Sequence, residues 1–166
     1  MRMEFVQEFH RKFGFKTLDQ PGFLDDERMA SRLNFLLEEL VETATCCGQR
    51  LVCNEELGAK FIPMSPSSAM AHKDLEGALD GLIDLIYVAF GTADLMGFNH
   101  QCPLVPPDNG QWSVWQEASL RVQQANMQKI RVETAAESKR GTIFDVRKPE
   151  GWVAPAYDDI LPDEVL

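Results

Sequence analysis

Three glutamates, Glu38, Glu39 and Glu42, fall within five consecutive residues. On a helix, at 100° per residue, Glu38 and Glu42 lie within roughly 40° of one another and Glu39 about 60° to the other side of Glu42, so the three carboxylates share one face. Phe35 and Cys46 fall on that face a turn before and after. A patch framed by apolar residues reads as a face turned toward another helix, and a solvated acidic face is the alternative. Asp80 and Asp84 stand one turn apart in a segment that is otherwise apolar almost all round, with Gly77, Tyr87 and Gly91 in the same sector. Placed there, both carboxylates are expected to be nearly buried. An ionised carboxylate in apolar surroundings needs a counter-charge, hydrogen bonds or a cation, and no Lys or Arg occurs between Leu75 and His100. A divalent metal meets that need, and an arginine from another segment is the competing solution. Carboxylates from two helices are hard oxygen ligands of the kind Mg²⁺ or Mn²⁺ prefers, and Mg²⁺ commonly binds substrate phosphates as well. A carboxylate-bridged di-iron centre needs a His three residues after a Glu, whereas His10, His72 and His100 follow Gln7, Ala69 and Gly97. Asn126 and Lys129 continue an apolar helical stripe inward, where an amide and an ammonium suit phosphate oxygens. The alternative for Lys129 is an ammonium snorkelling from its helix end.

Four helices are predicted to position these groups. The first spans about Met3 to Phe15, with Phe5, Val6, Phe9 and Phe13 at helical spacing and Gly14 near its end. The second runs from about Asp25 to Gly48 on a stripe that includes Leu33, Leu36, Leu37, Leu40 and Val41. Between Gln49 and Ala71 the pattern lapses, and two prolines and three serines suggest a connection that is mobile or covers something. The third helix, about His72 to Gly97, is apolar round most of its circumference and reads as the central, buried one. After the turn-rich PLVPPDNGQW, the spacing of Trp115, Ala118, Val122 and Ala125 defines a fourth helix ending near Arg131. From Thr134 the chain reads as an extended tail. No strand-like alternation is long enough to build a sheet, so the expected fold is all-α: a bundle of four main helices in one domain over 1–166, with a core of about 3–131 and a tail of 132–166.

Composition sets the outer limits. The 166 residues carry 16 Lys+Arg against 26 Asp+Glu, a net charge of −10, with 45% hydrophobic residues. This is the make-up of one soluble domain, able to bury roughly two-thirds of its unfolded surface without staples. Nothing resembles the Lys/Arg stripe that nucleic-acid binding requires, although Arg131, Lys139, Arg140, Arg147 and Lys148 gather positive charge in the last quarter. The N-terminus lacks the apolar core of a signal peptide, and Leu79 to Phe90 falls short of the ~20 residues that span a bilayer, so a cytoplasmic protein is expected. Cys46, Cys47, Cys53 and Cys102 form no CxxC pair and read as reduced packing residues.

Taken in order, EELVE at 38–42, DGLIDLIYVAFGTADLMGF at 80–98, VQQANMQK at 122–129 and the KPEGWVAP tail resemble the all-α NTP pyrophosphatase superfamily, the MazG-like and phosphoribosyl-ATP pyrophosphohydrolase-like group. The resemblance covers about Phe5 to Pro155 and is closest to the small single-domain bacterial and phage members. It implies Mg²⁺-dependent hydrolysis between the α- and β-phosphates of a nucleoside triphosphate, with Mn²⁺ able to substitute, giving monophosphate and pyrophosphate. It further implies metal binding by Glu38, Glu39, Glu42, Asp80 and Asp84, and phosphate binding by Asn126, Lys129 and Lys148. One departure stands out: the usual second acidic motif requires an acid at position 81, which is Gly81, whereas Asp80 lies one residue earlier.

The mechanism implied places Mg²⁺ between the carboxylates and the triphosphate, with Glu39 orienting or deprotonating the attacking water. Phe9, Phe13 or Trp152 are candidates to recognise the base. The resemblance also implies a homodimer or homotetramer. The leading expectation is a (d)NTP pyrophosphohydrolase for cleansing or remodelling the nucleotide pool, with no nucleic-acid or membrane partner. Two alternatives stand beside it: an inactive helical interaction module, for which Gly81 is the best support, and a pyrophosphatase for another nucleotide-like metabolite such as phosphoribosyl-ATP. The long loops and the tail resemble the phage-like branch more than the histidine-pathway enzyme.

Overall fold

A computed structural model of the chain describes residues 2–54, 58–68, 72–106 and 112–162. They fall into two compact units, Met1–Gly97 and Phe98–Leu166. The first contains α1 (Met3–Phe13), α2 (Asp26–Cys46), strands β1 (Gln49–Asn54) and β2 (Gly58–Pro63), and α3 (Leu75–Leu95). The second contains α4 (Val114–Met127), strands β3 (Ile130–Arg131) and β4 (Val146–Arg147), and a 3-10 turn at Ala135–Glu137. The chain is mostly helical, as the periodicity predicts, and no helix among the described residues is long and apolar enough to cross a membrane.

The helix ends follow local chemistry. The Asp25 carboxylate accepts from the Arg28 N–H and starts α2, and the Asp74 carboxylate accepts from Gly77 N–H at the start of α3. Ser113 and Gln116 exchange hydrogen bonds with each other's backbone N–H in a capping box that opens α4. Gly14 and Gly48 take the left-handed conformation (φ 71° for both) that ends α1 and turns the chain out of α2, which a Cβ would resist.

Four expectations need correction. The segment after α2 is not an irregular connection: it begins as an antiparallel hairpin, with Gln49 opposite Pro63 and Asn54 opposite Gly58, so the fold is not purely helical. Its strand stretch QRLVCN is short and polar at both ends, which hides a period-two signal. The fourth helix stops at Met127, and the chain then enters β3, which pairs with β4, so the tail is folded back rather than extended throughout. α3 is not buried all round, since Leu79, Leu82, Ile83 and Ile86 stand 44–60% exposed while Ala78, Gly81, Gly91, Ala93 and Leu95 are buried. Asp80 and Asp84 are correspondingly exposed. Finally, of the four cysteines only Cys102 is a core residue; Cys47 and Cys53 are exposed.

In the first unit, α2 and α3 form the principal helix pair and α1 lies against α3. Val6 is fully buried, and the buried imidazole of His10 pairs through Nδ1 with the Asp94 carboxylate on α3. The α1–α2 loop is tied to the end of α3 by Leu18 N–H donating to Leu95 O and Gly22 N–H donating to Met96 O.

In the second unit, Cys102, Val114 and Ile160 make a small core beside Phe98 and Tyr157. Arg121 on α4 staples the C-terminal segment. Its Nε donates to Glu117 (2.9 Å), and its Nη1 and Nη2 donate as a fork to Asp159 (2.6 and 2.9 Å). Hydrogen bonds from Arg121 hold the carboxyls of Glu117 and Asp159 below the usual carboxylate range, with the Trp112 indole adding to the effect on Glu117. Carboxylates held down in this way contribute stability that is present above their ordinary pKa and lost as pH falls through the lowered values. Arg121→Gln is therefore expected to lower Tm by several degrees near pH 7, with a difference that narrows in acid to what the pH-independent bond from Arg121 to the Ala156 carbonyl contributes. Melting curves across that range check both the size and the sign.

Candidate active site

The seam between α2 and α3 is built from small residues on α3. An added Cβ at Gly77 would come within 2.8 Å of Cys46 Sγ, one at Gly81 within 2.5 Å of Thr43 Oγ1, and one at Gly91 within 2.9 Å of an Arg32 terminal nitrogen. The paired positions run in opposite directions, 46 with 77, 43 with 81 and 32 with 91, so the helices are antiparallel. Glu39 lies one turn before Thr43 on α2, and Asp84 lies three residues after Gly81 on α3, which puts them at the same level of the seam. Of the face framed by Phe35 and Cys46, Cys46 meets α3 at Gly77 and Glu39 is half-buried, whereas Phe35, Glu38 and Glu42 stay exposed.

Electrostatics report the same proximity. The Glu39 carboxyl is pushed above the usual carboxylate range, first by partial burial and then by the negative charges of Asp84, Glu42, Glu38 and Asp80. These are the five carboxylates singled out in the sequence, and the two helices bring them into one field. Within it Glu39 is half-buried, and Glu38, Glu42, Asp80 and Asp84 are exposed. Among the described residues no Lys or Arg forms an ion pair with any of them.

Arg32 sits two turns before Glu39 on the same stripe, and sequence reading missed it. Its Nε donates to Thr92 Oγ1 (3.1 Å) and its Nη2 to the Val88 carbonyl (2.9 Å), and burial lowers its pKa. The seven-residue interval to Glu39 is the signal that could have found it. Beyond Asp84 along α3, Tyr87 meets the ring of Phe9 edge-on at 5.7 Å, and Phe9 packs with Phe13 at 4.6 Å. Two of the aromatic candidates are thus gathered next to the acidic seam.

The remaining candidates lie in the second unit. Lys129 is beyond the end of α4 and not on it, contrary to the expected helix boundary. Its Nζ donates to Asn126 Oδ1 (2.7 Å) and stands 5.8 Å from the centre of the Trp152 ring. Lys148 Nζ lies 4.1 Å from the same ring. Asn126, Lys129, Lys148 and Trp152 therefore form one cluster.

The phosphoribosyl-ATP pyrophosphohydrolase family matches residues 6–104, more than half of the chain, including all of α2 and α3. The chain belongs to this family. It is a family of pyrophosphohydrolases within the MazG-like NTP pyrophosphatase superfamily, hydrolases that act on phosphoric anhydride bonds of nucleotide-like substrates. No curated protein matches the chain.

For a member of this pyrophosphohydrolase family, the donor set is suited to Mg²⁺: five hard oxygen acids, mutually repelling and without cationic partners among the described residues. As the side chains stand, no three His, Cys, Asp or Glu groups among the described residues converge closely enough to hold a metal ion. The chemistry of the donors, five carboxylates on two neighbouring helices, fits the ion. Gly81 also acquires a physical reason. It is buried against Thr43, whose Cα lies 3.3 Å from the added Cβ, so position 81 belongs to the helix contact and has no room for an acid.

Proposed function

We propose that the protein is a Mg²⁺-dependent nucleoside triphosphate pyrophosphohydrolase that cleaves the α–β bond of (d)NTPs. The observation that carries the reading is the set of five carboxylates coupled through Glu39 on the α2–α3 pair of a pyrophosphohydrolase family member. Glu38, Glu39, Glu42, Asp80 and Asp84 would hold the ion, with Mn²⁺ able to replace it. When bound, the metal neutralises the phosphate chain and polarises the phosphorus under attack. Glu39 orients a water and takes its proton, a role to which a carboxyl of raised pKa is suited. Asn126, Lys129 and Lys148 bind phosphate oxygens, and Phe9, Phe13 and Tyr87 offer apolar ring surface for the base. A homodimer or homotetramer would cover Leu79, Leu82, Ile83 and Ile86, which are too apolar to face water comfortably in one chain. Function in the cytoplasm fits the acidic, reduced-thiol composition.

Phosphoribosyl-ATP is a second substrate reading, favoured by the description of the matched family itself. It calls for the same bond and the same residues, with a larger group on the base. A substrate panel decides between the two. The common NTPs, dNTPs and phosphoribosyl-ATP, each with and without Mg²⁺, are expected to yield monophosphate and pyrophosphate from one preferred member only when metal is present. Orthophosphate as the first product would mean that a different bond is cut. Failure to turn over any of these by a well-folded protein would favour the inactive module.

A further inference from the structure

Register, not chance exposure, brings two lysines together in the second unit. Ile130 pairs with Arg147 in the β3–β4 ladder, so Lys129 and Lys148, one step further out on each strand, stand opposite one another. A turn closed by Trp152 N–H donating to Pro149 O, with Gly151 at φ 73°, folds the tail back so that the indole lies under Lys148. The ring is then fixed by its Nε1, which donates to the Ala125 carbonyl in the last turn of α4 (2.8 Å). Lys129 completes the arrangement from the other strand, its Nζ on Asn126 Oδ1. Neither lysine forms an ion pair with a carboxylate of the described residues, in a chain with ten more acids than bases. Two ammonium groups on one neutral ring repel each other, and the ring's attraction for each offsets only part of that cost. A compact multivalent anion offsets the rest, and Asn126 Nδ2 adds a donor beside it.

We infer that Trp152 is a positioning residue which, by docking the tail on the end of α4, assembles Lys129, Lys148 and Asn126 into a cradle for a phosphate chain. This rests on the pyrophosphohydrolase reading for the identity of the anion, which is either the substrate's phosphate chain or free pyrophosphate. The indole edge is spent on Ala125 and a face on Lys148, so its work is to hold cations and not to stack a base.

The test uses the full chain and titrates it, in separate arms, with sodium pyrophosphate and with a nucleotide analogue that cannot be cut between its α- and β-phosphates. Affinity is read by calorimetry for wild type, Trp152→Ala, Trp152→Phe, Lys148→Gln and Lys129→Gln, alongside KM and kcat. Trp152→Ala and each lysine variant are expected to weaken pyrophosphate binding about tenfold and to reduce its salt dependence, with the loss of turnover falling on KM rather than kcat. Trp152→Phe, which keeps a ring for the lysines, recovers part of the affinity. Weakening in the pyrophosphate arm alone assigns the cradle to free pyrophosphate, and weakening in both arms assigns it to the substrate. A Trp152→Ala protein that melts like wild type and binds pyrophosphate as tightly overturns the inference. Should that variant melt early, the two lysine variants decide, since they leave Trp152 in place, and wild-type affinity in both overturns it equally. Trp152-dependent pyrophosphate binding without hydrolysis of any substrate would sink the enzyme reading and leave the cradle standing; hydrolysis with unchanged pyrophosphate binding would do the reverse.

Discussion

Replacing Glu39 by glutamine is expected to lower the rate of pyrophosphate release by about 10²- to 10⁴-fold, the range for loss of a positioned general base, and to raise Tm at neutral pH. The two effects have one origin. Glutamine keeps the shape of the side chain and removes one negative charge from a group of five. The Glu39 carboxyl sits above its ordinary range because burial and Asp84, Glu42, Glu38 and Asp80 disfavour its ionised form. A carboxyl raised in the folded state contributes stability that is fully present below its unfolded pKa and is lost as pH rises through the folded value. Glutamine loses nothing over that interval, so the variant's advantage is largest at neutral pH and closes in acid. Melting curves from about pH 4 to pH 8 in the absence of divalent ions read this directly. Adding Mg²⁺ should then raise the Tm of the wild type more than that of the variant, because a ligand that binds only the folded state stabilises it more the tighter it binds. Wild-type turnover in Glu39→Gln would remove this residue from the chemistry. A lower Tm at neutral pH would contradict the electrostatic account.

Much of the acidic site was legible because a helix converts sequence spacing into angle without further information. Glu38, Glu39 and Glu42 share a face by arithmetic, and so do Asp80 and Asp84. What that arithmetic could not supply was depth. Leu79, Leu82, Ile83 and Ile86 gave α3 the profile of a buried helix, yet within one chain only the stripe through Gly81 and Gly91 is covered, and the aspartates are exposed with the rest. Apolar composition reports that a surface is to be buried, not by what. The hairpin after α2 escaped because its strands are short, carry Arg50 and Lys60, and show no sustained period-two alternation, and because the prolines and serines at its end and just beyond it read as loop. The Ser113–Gln116 capping box, by contrast, was an available signal for the start of α4. The cation cluster was half legible. Lys129 was singled out by the helical stripe and by resemblance, and Lys148 by resemblance alone, but their meeting depends on a two-residue ladder between segments 15 residues apart, too short to leave any periodic trace. His10 with Asp94 could not be foreseen, since a pair 84 residues apart is created by packing alone.

Gly81 provides the other large expected effect, and it separates a lost ligand from a contact. Glycine in a helix interior is ordinarily a liability, and changing it to alanine usually stabilises by roughly 0.5–1 kcal/mol. Here the new methyl would stand 2.5 Å from Thr43 Oγ1 and 3.3 Å from Thr43 Cα, and the second of these is backbone that cannot swing away. Gly81→Ala is therefore expected to destabilise by about 1–3 kcal/mol, as overpacking does, and Gly81→Glu by more. Turnover should fall as well, because the spacing of α2 and α3 sets the approach of Glu39 to Asp84. Thr43→Ala opens the contact by removing Oγ1, whose own hydrogen bond is only a return to the Glu39 carbonyl one turn back. Added to Gly81→Ala it should restore the part of the lost stability that comes from Oγ1, a coupling that a double-mutant cycle in denaturant measures without assumptions about activity. A missing metal ligand predicts the opposite pattern: Gly81→Glu would tighten Mg²⁺ binding and raise turnover, indifferent to residue 43. The one-residue offset of Asp80 then has a mechanical reading, in which α3 keeps its acid one position earlier, on the flank of the seam, and leaves position 81 small enough for the helices to close.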